Sequence, residues 1–240
     1  MDHSWIMMLV LGMGGLAGTI TSLRFSIRSF FADRRKIHNE PASASVPRTR
    51  GAIIRWPRIY TLILRVAFRG KEPELRQMIA DLAQLRPGET VLDAGCGTGT
   101  LALVAKERVG TTGRVYGIDP SRQMIAYARR KASGRNLSVD FEIGVVEYLA
   151  FPDRSFDVVL CTWMIHHLPL DDQRRGLAEM ARVLKPGGRL LLVDSHLDDL
   201  PLPHGEFSRI ETADFPIGRG FGFALERKNL ARVVAKEEQP

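Results

Sequence analysis

Apolar positions from residue 72 onward follow two alternating periods, which predict alternating helices and strands. Leu75, Met78, Ile79 and Leu82 show the i, i+3, i+4, i+7 spacing of an amphipathic helix. Short apolar runs bounded by glycine, proline or acidic residues follow, and each has the length of a buried strand. The predicted strands are 90–94, 114–119, 139–143, 156–161 and 190–194, with a last strand expected at 220–225.

Helical patterns separate most of these predicted strands. The strands are apolar almost throughout, whereas a sheet with one wet face would show an alternating pattern. Strands that alternate with helices in this way predict a parallel sheet covered on both faces. The expected fold class is therefore a Rossmann-like, doubly wound α/β domain over residues 72–240.

The composition is that of an ordinary globular protein. The chain has 240 residues, of which 25% are charged and 45% hydrophobic, so wholesale disorder and low-complexity architectures are excluded. Two cysteines, Cys96 and Cys161, form neither a disulfide framework nor a four-ligand zinc site. No other spacing of ligand residues predicts a metal site.

The N-terminal segment 1–23 is expected to be a membrane anchor. Residues 5–23 carry no charge, and as a helix they would rise about 28 Å, close to the bilayer core. Arginines begin directly afterwards, so the positive-inside rule predicts a single-pass protein with its domain on the cytoplasmic side. A cleaved signal peptide, which lacks its positive n-region here, and a buried helix stay open as alternatives.

Charge is concentrated between the anchor and the domain. Residues 24–71 hold twelve basic and two acidic side chains, whereas residues 72–240 hold 22 basic and 24 acidic ones. The near-neutral domain gives no reason to expect a nucleic-acid partner. Residues 24–52 are punctuated by proline, serine and glycine and are expected to be a basic juxtamembrane linker.

Residues 53–71 are apolar and basic together, with Trp56, Tyr60 and Phe68 interleaved among arginines. Two compatible interpretations stay open. The segment is either a lid helix that packs on the domain or a helix that lies on an anionic membrane surface.

The loop after the first predicted strand carries an acid and three alternating glycines: Asp93, Gly95, Gly97 and Gly99. Glycines let a ligand approach the backbone closely. An acid at this place would repel a pyrophosphate but would help to hold an ammonium group, directly or through water.

Two further residues lie where a nucleoside is expected. Asp119 ends the second strand, the usual place for a carboxylate that binds ribose hydroxyls, and Met124 follows with a soft side chain for a purine face. A nucleoside, an amino group and a close backbone together describe S-adenosylmethionine (SAM). The cofactor expected is SAM, with S-adenosylhomocysteine (SAH) as its product.

Four segments carry a family resemblance: LDAGCGTG, VYGIDPSRQM, FPDRSFDVVLCTWMIHHL and RVLKPGGRLLLVD. In this order they resemble the class I SAM-dependent methyltransferases, over roughly residues 72–195. The small-molecule subgroup that includes ubiquinone/menaquinone-biosynthesis and lipid-type enzymes is the most similar. The resemblance implies that Cys161 and Thr162 meet the methionine end of SAM through their backbone.

One departure from that family falls at the adenine. The family commonly has Gly-Asp-Ala-Glu after the third strand, and this chain has Gly144-Val145-Val146-Glu147. Val145 has no side-chain acceptor for the adenine amino group, although a backbone contact from Val146 is still expected. A catalytically degenerate SAM-binding scaffold or sensor is therefore the alternative function.

Methyl transfer needs alignment and, for an acidic acceptor, a base. His166 and His167 follow the fourth strand and are the expected bases, and Tyr60 is expected to reach in from the lid helix. His196, after the fifth strand, is a weaker candidate. A basic, aromatic and membrane-tethered wall suggests a small amphiphilic acceptor, such as a lipid headgroup or a quinone precursor.

Overall fold

The computed structural model describes residues 48–194, residues 200 and 202, and the backbone of 207–214 and 230–236. Within these ranges, seven strands form one sheet in the order β3-β2-β1-β4-β5-β7-β6. Strands β1 to β5 run parallel to one another, and β7 runs antiparallel to both β5 and β6. The strands are β1 (Thr90–Ala94), β2 (Arg114–Asp119), β3 (Asp140–Ile143), β4 (Phe156–Thr162), β5 (Leu184–Asp194), β6 (Phe207–Asp214) and β7 (Leu230–Lys236).

Helices cover both faces of the sheet. Val91 and Leu160 belong to a buried cluster with α2, α3 and α4, whereas Leu92 and Val159 belong to a second cluster with α5. Neighbouring residues of one strand thus enter opposite cores, which is why these strands are apolar throughout. The helices are α1 (Pro57–Ala67), α2 (Glu72–Leu82), α3 (Thr100–Val109), α4 (Arg122–Ser133) and α5 (Leu170–Val183), with a short 3-10 helix at Ile165–His167.

The predicted doubly wound α/β fold is confirmed, and its strands lie close to their predicted positions. β1 and β2 match at both ends, while β5 begins at Leu184 instead of residue 190. The register between β4 and β5 shifts at this point, from the Phe156–Leu184 pair to the Val158–Arg189 pair, and residues 185–188 lie within the strand. The expected strand at 220–225 lies outside the described residues.

The basic segment before the domain supplies a strap, residues 48–54, and then α1. The Arg50 guanidinium donates to both carboxylate oxygens of Asp172, at 2.8 and 3.1 Å, and Ala52 N donates to His167 O at 3.3 Å. The predicted linker of 24–52 therefore ends earlier than expected, because Asp172 and other groups of the domain bind its last residues.

The predicted membrane anchor, residues 1–23, lies outside the described residues. Among the helices that the structure does describe, none is both long and apolar enough to cross a membrane.

Candidate active site

The strand order reverses between β1 and β4, and an open cleft lies at the carboxyl ends of these strands. Such switch points are where parallel α/β sheets bind ligands, because the loops after the two strands diverge there. The cleft contains about 700 Å³ of empty space, part of which is open to solvent. Its walls are Thr49, Gly51, Ala52, Ile53 and Ile54 of the strap, Tyr60, Gly95, Gly97, Asp119, Pro120, Met124, Gly144, Val145, Val146, Glu147, Thr162, Trp163, Met164, His167 and Leu168.

Asp119, the last residue of β2, presents a fixed carboxylate to this cleft. Its Oδ2 accepts a hydrogen bond from Gly97 N at 3.0 Å, and its Oδ1 accepts one from Ser121 N at 2.8 Å. Burial raises the pKa of Asp119 to about 6, and these two hydrogen bonds oppose that rise. At neutral pH both oxygens are therefore charged and oriented, and each keeps a lone pair for another donor.

Met124 and Val145 wall the cleft beside Asp119. Met124 is fixed at the start of α4, where its N–H donates to the capping Ser121 Oγ at 3.3 Å. Val145 is buried, and its apolar side chain offers no acceptor. The far end of the cleft thus provides a carboxylate and an apolar slot, a combination suited to a ribose and a purine ring.

The glycine loop leaves room above its backbone. Gly97 has φ +51°, and a Cβ atom added there would meet no heavy atom within 4 Å. At Gly95, with φ +79°, an added Cβ would lie 2.3 Å from Met164 Cγ. Side chains are therefore excluded at Gly95 by contact and strain, whereas the space over Gly97 is open to a ligand.

Asp93 lies beneath this loop with one oxygen lacking a partner. It is only 1% exposed, and its Oδ2 has no hydrogen-bond partner among the described residues. Burial raises the pKa of Asp93 to about 7, while the charge of Arg76 and a hydrogen bond from the backbone of Ala102 lower it. The unused oxygen of this buried carboxyl group can accept a hydrogen bond from a donor group of a bound ligand.

Arg76 is a site residue that sequence reasoning missed. It lies on α2, donates to Glu72 at 3.0 Å and stacks over the Trp163 ring at 5.2 Å from the ring centroid. Arginines on amphipathic helices usually face solvent, yet this one is buried. Its positive charge lies close enough to Asp93 to lower the pKa of that carboxyl group.

Because Asp93 is buried with a raised pKa, we expect Asp93→Asn to stabilise the cofactor-free protein at high pH. The folded protein holds this proton up to about pH 7 and the unfolded chain only to about 4. Stability is therefore lost as pH rises from 4 to 7, by an amount on the order of 4 kcal/mol at most. Urea unfolding at pH 8 should show the variant more stable by at least 1 kcal/mol, with little difference at pH 4.

The matched control for that measurement is Asp140→Asn, which removes an exposed carboxylate from β3. It should leave the stability difference between pH 4 and pH 8 as in the parent protein. Equal stability of Asp93→Asn and the parent at both pH values would contradict the assignment of Asp93 as a destabilising buried acid.

The mouth of the cleft is walled by aromatic and imidazole groups. Tyr60 reaches it from α1 as predicted. Burial raises the pKa of the Tyr60 phenol, the charges of Asp119 and Glu72 raise it further, and Arg76 opposes them. Tyr60 therefore keeps its proton at neutral pH, and its hydroxyl can donate a hydrogen bond.

The two predicted histidines have different places. His167 walls the cleft, whereas His166 does not. His166 Nδ1 is paired with Oδ1 of the buried Asp194 at 2.7 Å, and the two imidazole rings lie 4.1 Å apart between centroids. Asp194 thus fixes the ring of His166, which in turn packs against the ring of His167.

Three predicted cofactor residues do not wall the cleft. Asp93 lies beneath it, Gly99 is closed off by Phe141 and Ala128, and Cys161 packs in the core against α5. The prediction for Cys161 and Thr162 concerns their backbone, and of these two residues Thr162 walls the cleft. The remaining predicted residues wall it together: Gly95, Gly97, Asp119, Met124, Val145, Val146 and Thr162.

Two other predictions concern this edge of the sheet. His196 lies outside the described residues. Within those residues, no three histidine, cysteine or acidic side chains are grouped so that they could hold a metal ion.

Comparison with known proteins decides the family. Residues 91–188 match the family described as a methyltransferase domain. The chain contains a class I SAM-dependent methyltransferase domain. SAM is accordingly the cofactor of the domain.

Two relatives are named demethylmenaquinone methyltransferase. The one from Deinococcus radiodurans is 40% identical over 135 residues, which are 56% of this chain and 55% of the relative. The one from Thermus thermophilus is 37% identical over 151 residues, 63% of this chain and 66% of the relative. The chain thus spans between about half and two thirds of the length of these curated relatives.

A solved SAM-dependent methyltransferase from Aquifex aeolicus has a similar structure. It is 25% identical, with a TM-score of 0.50 over 75% of this chain and 97% of the solved one. The methyltransferase domain is therefore similar to known methyltransferases in both sequence and fold.

The residues of this cleft fit SAM. Asp119 is placed for the two ribose hydroxyls, Met124 and Val145 for the adenine, and the open space over Gly97 for the sulfonium end. Since Asp93 is buried beneath the cleft wall, it would reach the amino group through a water molecule.

Proposed function

We propose that the protein transfers a methyl group from SAM to a small amphiphilic acceptor, such as a quinone precursor or a lipid headgroup. One observation carries the proposal. The cleft lined by the residues expected to bind SAM is also lined by Tyr60, His167 and the apolar residues of the strap. Cofactor and acceptor would therefore meet in one cleft.

The chain's own groups supply binding, orientation and a base. SAM brings a methyl group already activated on a sulfonium, so alignment and desolvation are the main needs. Asp119 holds the nucleoside, and the glycine loop holds the sulfonium end. The strap excludes water from the acceptor side of the cleft. His167 would take the acceptor proton, while Tyr60 would donate a hydrogen bond to an acceptor oxygen.

The character of the acceptor follows from the acceptor side of the cleft. Ile53, Ile54, Trp163 and Leu168 wall it, and within the described residues no basic side chain other than His167 does. An apolar ring system with one or two oxygens suits these walls better than a polyanion. The names of the two demethylmenaquinone methyltransferase relatives support a quinone precursor.

The test is turnover by the full chain in detergent, with SAM and a reduced demethylmenaquinone. We expect SAH and methylated quinol in equal amounts, and calorimetry should show binding of both SAM and SAH. Absence of binding by either compound at millimolar concentration would exclude the proposed activity.

A second candidate function is SAM binding without turnover. Val145 favours it, because this buried cleft residue cannot accept a hydrogen bond from the adenine amino group. The two functions separate in the same experiment. Tight binding of SAM with no SAH formed from quinone or lipid extracts would support the scaffold, and Val145→Asp should then tighten binding without restoring turnover.

We further propose that residues 5–23 anchor the protein in the membrane and take no part in methyl transfer. Their uncharged length and the arginines after them support this. Deletion of residues 1–46 leaves the strap intact, and SAM affinity should stay within threefold.

The two forms of the chain should respond differently to a wash of the membranes with 1 M salt. The wash should release the deleted form and leave the full chain bound. Release of the full chain by salt alone would contradict the anchor.

A further inference from the structure

The outer face of α1 is apolar and exposed. Leu62 is 60% exposed, Ile59 44% and Val66 43%, and Trp56 just before the helix is 36% exposed. Their spacing places them along one side of the helix. Few other large apolar side chains of the described residues are as exposed; these are Tyr148 and Leu170, which lie on other elements.

Packing on the domain does not require this face. The inner face of α1 carries Tyr60 to the cleft, Leu64 to the core and, directly after the helix, the buried Phe68, whose ring lies 6.0 Å from that of Trp163. These residues fix the helix on the domain. The exposed stripe on the opposite side therefore contributes nothing evident to the stability of the fold.

Positive charge surrounds the exposed stripe. Arg58, Arg65 and Arg69 are exposed on and just after α1. The whole stretch 48–71 contains seven basic residues and no aspartate or glutamate. Apolar side chains flanked by arginines on one face of a helix are the pattern of helices that lie in the headgroup region of an anionic bilayer.

We propose that the outer face of α1 is a docking surface for an anionic lipid bilayer. The apolar stripe inserts among the acyl chains, and the arginines bind lipid phosphates, each contributing roughly fivefold to partitioning. A second copy of this chain is a poor occupant, because a two-fold contact would bring the two arginine sets together. This inference is independent of the proposed transfer reaction.

Docking would also bring the mouth of the cleft to the lipid. Ile53 and Ile54 wall the cleft, and Trp56, two residues later, begins the exposed stripe. With α1 in the headgroup region, the strap lies beside the bilayer surface. An amphiphilic acceptor would then have a short route from the bilayer into the cleft.

An environment-sensitive fluorophore on α1 tests the proposal. The chain's cysteines, Cys96 and Cys161, are both buried, so a nitrobenzoxadiazole label reacts at an introduced thiol. Leu62→Cys is labelled in the full chain and reconstituted in vesicles of phosphatidylcholine, with or without 30% phosphatidylglycerol. We expect at least a twofold rise in emission and a blue shift when the anionic lipid is present.

Two comparisons make the result specific. Thr111→Cys, at an exposed residue in the turn before β2 and so at the opposite edge of the sheet from the cleft, carries the same label and should show no response. Adding Arg58→Glu and Arg65→Glu to the Leu62→Cys chain should abolish the response, with unchanged thermal unfolding as the check on folding.

Three outcomes would overturn the proposal. These are no response at position 62, an equal response at position 111, or a response in the absence of lipid that grows with protein concentration. The last outcome would assign the face to a second copy of the chain. None of these readouts depends on SAM, so the proposed activity stands or fails separately.

Discussion

Asp119→Ala should weaken SAM binding by at least two orders of magnitude. The Asp119 carboxylate is half-buried at the cleft wall, and its two oxygens are oriented by Gly97 N and Ser121 N. Two charge-assisted hydrogen bonds to the ribose hydroxyls, each worth about 1.5–3 kcal/mol, would be lost together. Since about 1.4 kcal/mol is tenfold in affinity, calorimetry with SAH should show a loss of a hundredfold or more.

The control for this prediction separates ligand binding from loop structure, because Asp119 also holds the N–H group of Gly97. Asp119→Asn keeps the shape and an acceptor oxygen, so it should bind SAH more weakly than the parent but better than the alanine variant. Glu142→Ala removes an exposed carboxylate from β3 and should change nothing. Parent-like affinity of Asp119→Ala would contradict the placement of the ribose, and the role of Met124 with it.

Because Asp119 titrates near pH 6, we expect the affinity for SAH to depend on pH. Burial raises the pKa of Asp119 to about 6, so the cofactor-free protein becomes protonated at this residue below pH 6. The neutral acid is a poorer acceptor, and affinity for SAH should fall as pH drops from 7 to 5. Asp119→Asn should lose this fall in SAH affinity between pH 7 and pH 5. If the affinity of both proteins falls equally, another group causes the pH dependence.

Features encoded by local patterns could be predicted from the sequence. The strands β1 and β2, the glycine loop and Asp119 each depend on neighbouring residues in the chain, and the structure places them as expected. The start of β5 is the exception near the sheet. Leu184 already pairs with Phe156 of β4, six residues before the predicted start at 190, and this pairing is a tertiary contact that the local pattern does not contain.

Features that depend on distant contacts could not be predicted. The strap has a linker's composition, and its order comes from partners far along the chain. Arg50 binds Asp172, 122 residues later, and the Thr49 hydroxyl donates to Glu147, 98 residues later. Arg76 likewise has the spacing of a solvent-facing helix residue, and only its contacts with Glu72 and Trp163 show that it is buried.

The sequence also could not distinguish the adjacent histidines. His166 and His167 share a 3-10 helix, where successive side chains point in different directions. Asp194, at the end of β5, binds His166 and leaves His167 at the cleft wall. The position of one acid on a neighbouring strand thus decides which of the two histidines lies at the cleft wall.

His167→Ala should lower the rate of methyl transfer by about 10²–10⁴-fold, the usual contribution of a general base. SAM affinity should stay within twofold, because the residues that bind the nucleoside and the sulfonium end are unchanged. Single-turnover formation of SAH with saturating acceptor measures the chemical step directly, and calorimetry measures SAM binding on the same preparation.

His166→Ala and Asp194→Asn give the comparison that makes this prediction specific. His166 acts on the acceptor only by positioning the ring of His167, so its loss should cost less, roughly tenfold. Added imidazole should restore part of the rate to His167→Ala, since the vacated space at the cleft wall admits a free base, and should not help Asp194→Asn. If His167→Ala keeps the parental rate while SAM still binds, transfer proceeds by alignment alone. The histidine pair then serves only to hold the loop after β4 against Asp194.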